Sequence, residues 1–201
     1  MLGLPKSTEI RKNIFKKVIY EKFKNELTSA KKLKFDEDIS KIILVNELST
    51  KTLNIQGSEN TKPIFVLNII LKNKNYNEET ILMITKLFAQ KMVLLLQYEN
   101  EAQLCAYQIK LIKNDWKNID EQFVSIVGLD LNTIWENIVM QIGNIVLKDD
   151  NSLDKQITLN IDNEKILNKI QLLKNKILRE KQPRKKLELK QKINALKLKL
   201  K

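Results

Sequence analysis

The sequence predicts an α+β protein: a mixed α/β body with a central sheet of about five strands flanked by helices, then a C-terminal basic helical hairpin or coiled coil. Three observations carry this. Apolar, β-rich runs alternate with stretches of helical period. A polar stretch without period, residues 148–155, separates body from tail. Beyond it the apolar residues recur at spacings of 4, 3 and 4 on a strongly basic background.

Residues 6–23 read as an amphipathic helix, with Ser7 or Thr8 as cap and Ile10, Ile14, Val18 and Phe23 on one side. Phe35 and Asp36-Glu37-Asp38 lead into 39–45, a β-rich run that reads as a buried strand. Residues 52–55 read as a short second strand, and 57–60 (Gly-Ser-Glu-Asn) as a turn. Pro63 then opens the clearest strand in the chain, 64–71. Asn77 is placed to cap a helix whose first turn holds Glu78 and Glu79, where carboxylates complement the helix dipole. Ile81, Ile84, Leu87 and Phe88 give that helix its apolar face. Residues 92–98 and 104–112 read as a hairpin around Asn100-Glu101, with Trp116 in the loop that follows and 123–127 as another short strand. Asp130 or Asn132 caps a helix carrying Ile134, Trp135, Ile138, Val139, Ile142 and Ile145. The domain reading is a body over 1–147, a linker over 148–162 and a tail over 163–201.

The tail holds two narrow apolar seams. Ile166, Ile170, Leu173 and Ile177 form one; Leu189, Ile193, Leu196 and Leu200 form the other. Sixteen residues separate Ile177 from Ile193, two more than two heptads, so the seams are out of phase. Pro183 lies between them and disfavours helix at itself and at Gln182. A kinked rod is one solution. An antiparallel hairpin explains the phase break better, because each seam then covers the other. Its tip is 179–186, with five of the tail's fourteen basic residues and two of the chain's three arginines. A guanidinium fork grips phosphate or carboxylate in a way an ammonium does not. Arg179, Lys181, Arg184, Lys185, Lys186 and Lys190 are therefore the candidate nucleic-acid or anion-binding residues.

Charge supports that reading by its position. Between Glu164 and Lys201 there are 14 Lys or Arg and 3 Glu, whereas Met1 to Asn163 holds 22 basic and 21 acidic residues. Lysine outnumbers arginine 33 to 3, the mark of an AT-rich coding bias, but such a bias spreads charge evenly along a chain. The segregation calls for an anionic partner.

Histidine is absent, which removes the commonest general base and metal ligand and every Ser-His or Cys-His nucleophile. Cys105 is the one cysteine, which excludes an internal disulfide framework and fits a core position in a reducing compartment. No phosphate-cradling glycine motif occurs. The N-terminus lacks an apolar leader run and no stretch suffices for a membrane helix, so the expected location is cytoplasmic. The weakest reading weighed is a metal-dependent nuclease with Gln108-Ile109-Lys110 on a strand and Glu99 or Glu101 before it. Asp36, Glu37 and Asp38 read as a turn or helix cap before a cation site. Trp116 and Trp135 read as core or docking residues. No catalytic residue, metal ligand or cofactor is assigned. The expectation is a binding protein with a protein partner, with DNA as a second partner, no membrane, and an oligomer through the tail as the alternative.

Several segments together resemble one family. They are Leu4-Pro5-Lys6-Ser7-Thr8-Glu9-Ile10, Phe35 through Asn46-Glu47-Leu48-Ser49, Thr52-Leu53-Asn54-Ile55, the strand 64–72, Ala106-Tyr107, Ile177-Leu178-Arg179-Glu180-Lys181-Gln182, and Lys185-Lys186-Leu187-Glu188-Leu189. The chain is similar over nearly its whole length to the bacterial domain-of-unknown-function family numbered four-three-nine-one. That family lends no activity and no catalytic residue. Its members often stand beside DNA methyltransferase and helicase genes of restriction-like defence systems, so the resemblance implies a DNA-linked accessory role. Asn68, on a strand where the family's pattern suggests an acid, and Pro183, inside the tail, depart from the pattern.

Overall fold

The run 64–71 forms a central strand, as its unbroken apolar character requires of a segment buried on both faces. Around it the computed structural model, which describes residues 2–56, 62–86, 90–148 and 150–200, divides into two units, Met1–Val146 and Leu147–Lys201.

In the first unit the chain runs β1 (Glu9–Ile14), α1 (Lys16–Lys22), α2 (Ser29–Asp38), β2 (Ile39–Leu48) and α3 (Thr50–Leu53). It continues through β3 (Ile64–Leu71), α4 (Glu78–Thr85), β4 (Met92–Tyr98), β5 (Glu101–Gln108), β6 (Lys110–Lys113), β7 (Lys117–Asn118) and α5 (Leu131–Gly143). The sheet order is β1-β2-β3-β4-β5-β6, with β7 paired to β5. Only β3 and β4 are parallel, because α4 carries the chain across between them. The remaining neighbours in this path are antiparallel.

One face of the sheet packs on α1, α2 and α4: Ile19, Phe35, Ile81 and Ile84 join Ile42, Leu67, Ile69, Leu94 and Cys105 in one apolar cluster. On the other face α5 packs against β5 and β6 with Ile134, Trp135, Ile138 and Val139 fully buried. Trp135 donates from Nε1 to Gln108 Oε1 at 2.9 Å, which satisfies its one polar group. The α+β class is as expected, and the sheet is larger than the five strands read from the sequence.

Several local expectations are overturned. Residues 6–23 are a 3₁₀ turn, a strand and a helix. A spacing of four fits a strand as well as a helix, and cross-strand bonding of β1 to Ile42–Asn46 decides for strand. Residues 29–38, expected to lead into the strand, are the helix α2: it buries only Phe35 and Asp38, and Thr28 caps it by accepting from Lys31 N at 3.3 Å. Residues 52–55 are no strand: Ser49 and Thr52 close a capping box around the single turn α3. The predicted strand 104–112 reverses at Ile109, whose φ is 63°, so that Gln108 faces Lys110 across β5 and β6. Residues 123–127 form no strand. The turn expected at 57–60 and the helix-face residues Leu87 and Phe88 lie outside the described residues.

The second unit is α6 (Leu153–Arg179) followed by α7 (Pro183–Lys197). The helix begins ten residues before the predicted tail, because Ser152 accepts from Lys155 N at 3.4 Å and caps it. Gln156 then accepts from Asn151 and donates to Asn160, tying the approach to the first turns. The linker expected over 148–162 is therefore mostly helix.

Candidate functional site

The two tail helices form a hairpin, and its turn is set by three residues. Glu180 and Gln182 are extended, with φ/ψ of −75°/136° and −81°/119°, and Pro183 occupies the first position of α7. Proline there costs no hydrogen bond and presets the helical φ, so it starts a helix where the rod reading had it bend one. Glu180 Oε1 accepts from both Lys181 N and Gln182 N at 2.9 Å, closing the turn.

The seams meet as predicted. Ile170 and Ile193 are buried, and Ile166, Leu173, Ile177, Leu189 and Leu196 are half-buried, while Leu200 lies past the end of α7 and is exposed. The two seams pair within a single chain and bury Ile170 and Ile193.

Pairing the seams leaves the cations on the outside. Lys176 and Arg179 from α6 and Lys185 and Lys192 from α7 line a groove of about 400 Å³ near the tip, with Glu180, Glu188 and Leu189. Of the six predicted residues, Arg179 and Lys185 are brought together there, and Lys181 and Lys190 are exposed outside it. Arg184 lies 3.8 Å from Glu188 in an exposed ion pair, one helical turn along. Lys186 is half-buried, three residues before Leu189, so its stem extends the seam. Reading the basic run along the sequence missed Lys176 and Lys192. Spacings of 3 and 7, to Arg179 and from Lys185, put them on the same helix faces.

The acid at the turn is tuned by the same geometry. Hydrogen bonds from the Gln182 and Lys181 amides hold the Glu180 carboxyl below the usual carboxylate range, with help from Lys185 and Lys186 and against the cost of burial. The charged form of Glu180 is thus the one that the turn amides favour. Among the described residues, Lys165 and Arg184 are the tail cations held in ion pairs. The arrangement offers several ammonium groups and a guanidinium to a polyanion.

The body's candidate sites resolve into structural roles. Gln108 and Lys110 oppose each other across a reversal, and Gln108 is bonded to Trp135, so the same-face pair that a nuclease reading needs is not formed. Burial works against the charge of Asp36, but hydrogen bonds from Tyr20 and Lys16 outweigh it and lower its carboxyl. Asp38 accepts from Asn77 N at 3.0 Å and Thr80 Oγ1 at 3.2 Å, which pins α4 to the end of α2. No trio of His, Cys, Asp and Glu placed to hold a metal occurs among the described residues. Cys105 is fully buried and burial pushes its thiol up to about 12, so it is a core residue. Trp116 packs edge-on to Tyr76, with ring centroids 6.5 Å apart, and Lys74 covers it.

Residues 2–200 match the family described as Domain of unknown function (DUF4391). The chain belongs to that family. The match runs through both units, so the hairpin lies within the DUF4391 region of this chain. No curated protein and no solved structure matches the chain. At the strand position where the DUF4391 resemblance suggests an acid, Asn68 is buried on β3 and donates to Gln97 Oε1 at 3.0 Å. No helix among the described residues is long and apolar enough to cross a membrane.

Proposed function

We propose that this DUF4391 chain is a non-enzymatic accessory protein that holds a nucleic-acid backbone on its basic hairpin while its body docks on a protein partner. The reading rests on one observation: seam pairing turns the tail's lysines outward, and Lys176, Arg179, Lys185 and Lys192 converge on a groove near the tip. The gene neighbourhood that the family resemblance implies, methyltransferases and helicases, makes DNA the polyanion to test first. Assembly through the tail, the alternative drawn from the same seams, has to compete with the pairing that already buries Ile170 and Ile193 within the chain.

Fluorescence anisotropy of a labelled DNA duplex against salt tests the reading. Each neutralised phosphate contributes about 0.9 to the slope of log affinity against log salt. Reversing Arg179, Lys185 and Lys192 to Glu removes three contacts, so the slope should shrink by about 2.7. Between 50 and 200 mM salt that difference is roughly 40-fold. A reversed protein with its helical content intact and its slope unchanged refutes the assignment. A nuclease-treated pull-down of the intact chain then separates protein partners from passengers on DNA.

A further inference from the structure

The body is nearly neutral as a whole, but its charge is divided. Between Lys6 and Lys34 ten Lys or Arg stand against three Glu, so the remainder of the body is acidic. This basic segment builds the edge strand β1, the helix α1 and the start of α2, whose last turn carries Asp36, Glu37 and Asp38. At the junction of β1 and α1 it also exposes an aromatic ring. Phe15 is the extended residue between strand and helix, with φ/ψ of −73°/136°, and it is 71% exposed.

The ring borders a groove of about 180 Å³ whose other walls include Asn13, Lys16, Ser40 and Lys41. Lys16 is a fixed wall, since its ammonium donates to Asp36 Oδ1 at 3.0 Å and to the Ile39 carbonyl at 2.5 Å. Asn13, Ser40 and Lys41 carry no side-chain hydrogen bond or ion pair among the described residues. The groove therefore presents a π face, an amide, a hydroxyl and an ammonium, all unspent. Lys12 and Lys17 flank it in sequence and are exposed.

We propose that this groove is a base-stacking subsite for single-stranded nucleic acid, with Phe15 as the platform, Asn13 and Ser40 meeting the base edge, and Lys41 meeting the phosphate. Stacking on an aromatic ring beside cations is the general mode of single-strand binding, and it tolerates sequence because every base has a π face. An anionic bilayer is the competing surface. It fits less well, because α1 has only seven residues and turns Ile19 into the core, leaving Phe15 and Val18 without a continuous apolar face. The subsite is independent of the hairpin reading.

The test is anisotropy of the full chain with labelled single-stranded oligothymidylate and with duplex DNA, joined to photo-cross-linking of a 5-iododeoxyuridine oligonucleotide. Phe15→Ala should weaken single-strand binding roughly 5- to 150-fold, the range one stacked base is worth, and leave duplex binding unchanged. Phe15→Trp should restore it, and the cross-link should map to Phe15 even when Arg179, Lys185 and Lys192 are reversed. Single-strand affinity within twofold of wild type in Phe15→Ala overturns the proposal. So does an equal loss on duplex, or Phe15-dependent binding to phosphatidylglycerol vesicles without binding to the oligonucleotide. If duplex binding ignores the hairpin reversal while the Phe15 cross-link persists, the hairpin reading fails and this one stands.

Discussion

Replacing Ile193 by Ala asks whether the tail is a hairpin held by its seams. Ile193 is 7% exposed and its counterpart Ile170 is 4% exposed, the two best-covered positions of the two seams. Truncating a buried isoleucine to alanine costs about 2–5 kcal/mol, and the larger values need a rigid cavity. Here the flanking Leu173, Leu189 and Leu196 are only half-buried, so water and side-chain relaxation reach the site and favour the lower part of that range. A loss of about 2–3 kcal/mol corresponds to roughly 30- to 150-fold faster amide exchange in the helices that the seam joins. Hydrogen–deuterium exchange read by peptide gives that number. The amides of β3 and β4 serve as the internal control, and Leu198→Ala, at a position 88% exposed, serves as the matched substitution that should move nothing beyond about 0.5 kcal/mol. Equal exchange in Ile193→Ala and Leu198→Ala would refute the paired-seam hairpin. A rod with two solvated seams behaves in just that way.

The turn acid gives a pH prediction. Glu180 is held below the ordinary carboxylate range, so the stability it contributes is full above that range and lost as pH falls through its depressed folded value. A carboxyl-carbon NMR titration should find its midpoint below that of an exposed glutamate, and Glu180→Gln should flatten the acid limb of tail exchange. Asp38→Ala leaves the Asn77 amide and the Thr80 hydroxyl without their acceptor and should cost about 1–3 kcal/mol in a denaturant titration. Cys105, its thiol pushed up to about 12 and its side chain buried, should be unreactive toward Ellman's reagent at neutral pH until the protein is unfolded. Gly128 has φ of +140° and its missing Cβ would sit 2.9 Å from the Ile134 nitrogen, so Gly128→Ala should lower the melting temperature by a shift worth about 1–3 kcal/mol.

The sequence was most readable where one demand dominated. The run 64–71 is apolar on both faces, and only a central strand uses such a run. Asn77 and Asp130 announce their helices because a short polar side chain before an apolar period has few other uses; Asp130 accepts from Asn132 N at 2.8 Å and Thr133 N at 3.0 Å. The tail seams were equally plain, since a 4-3-4 spacing among lysines admits little else. Reading failed where local preference and long-range pairing disagreed. Glu9–Ile14 has helical spacing but is captured by β2, and Ser29–Asp38 has almost no apolar stripe but is capped at one end and pinned by Asp38 at the other. The site was half legible. The basic tip stood out as a run, whereas Lys176 and Lys192 come into view only on the helix surface. The groove at Phe15 was hidden by averaging its charge over the whole body.

The register of β1 against β2 slips between Glu9 and Lys12, where Arg11 takes a left-handed φ of 56°. A sheet that ends in a straight, regular strand offers its outermost row of amides and carbonyls to any passing extended chain. The slip breaks the alignment of that row and places Arg11 at the break, which disfavours pairing along it by a second molecule. In a sheet whose central strands β3 and β4 are so apolar, an irregular edge works against edge-to-edge pairing. Deleting Arg11 to straighten the strand would exchange solubility for regularity.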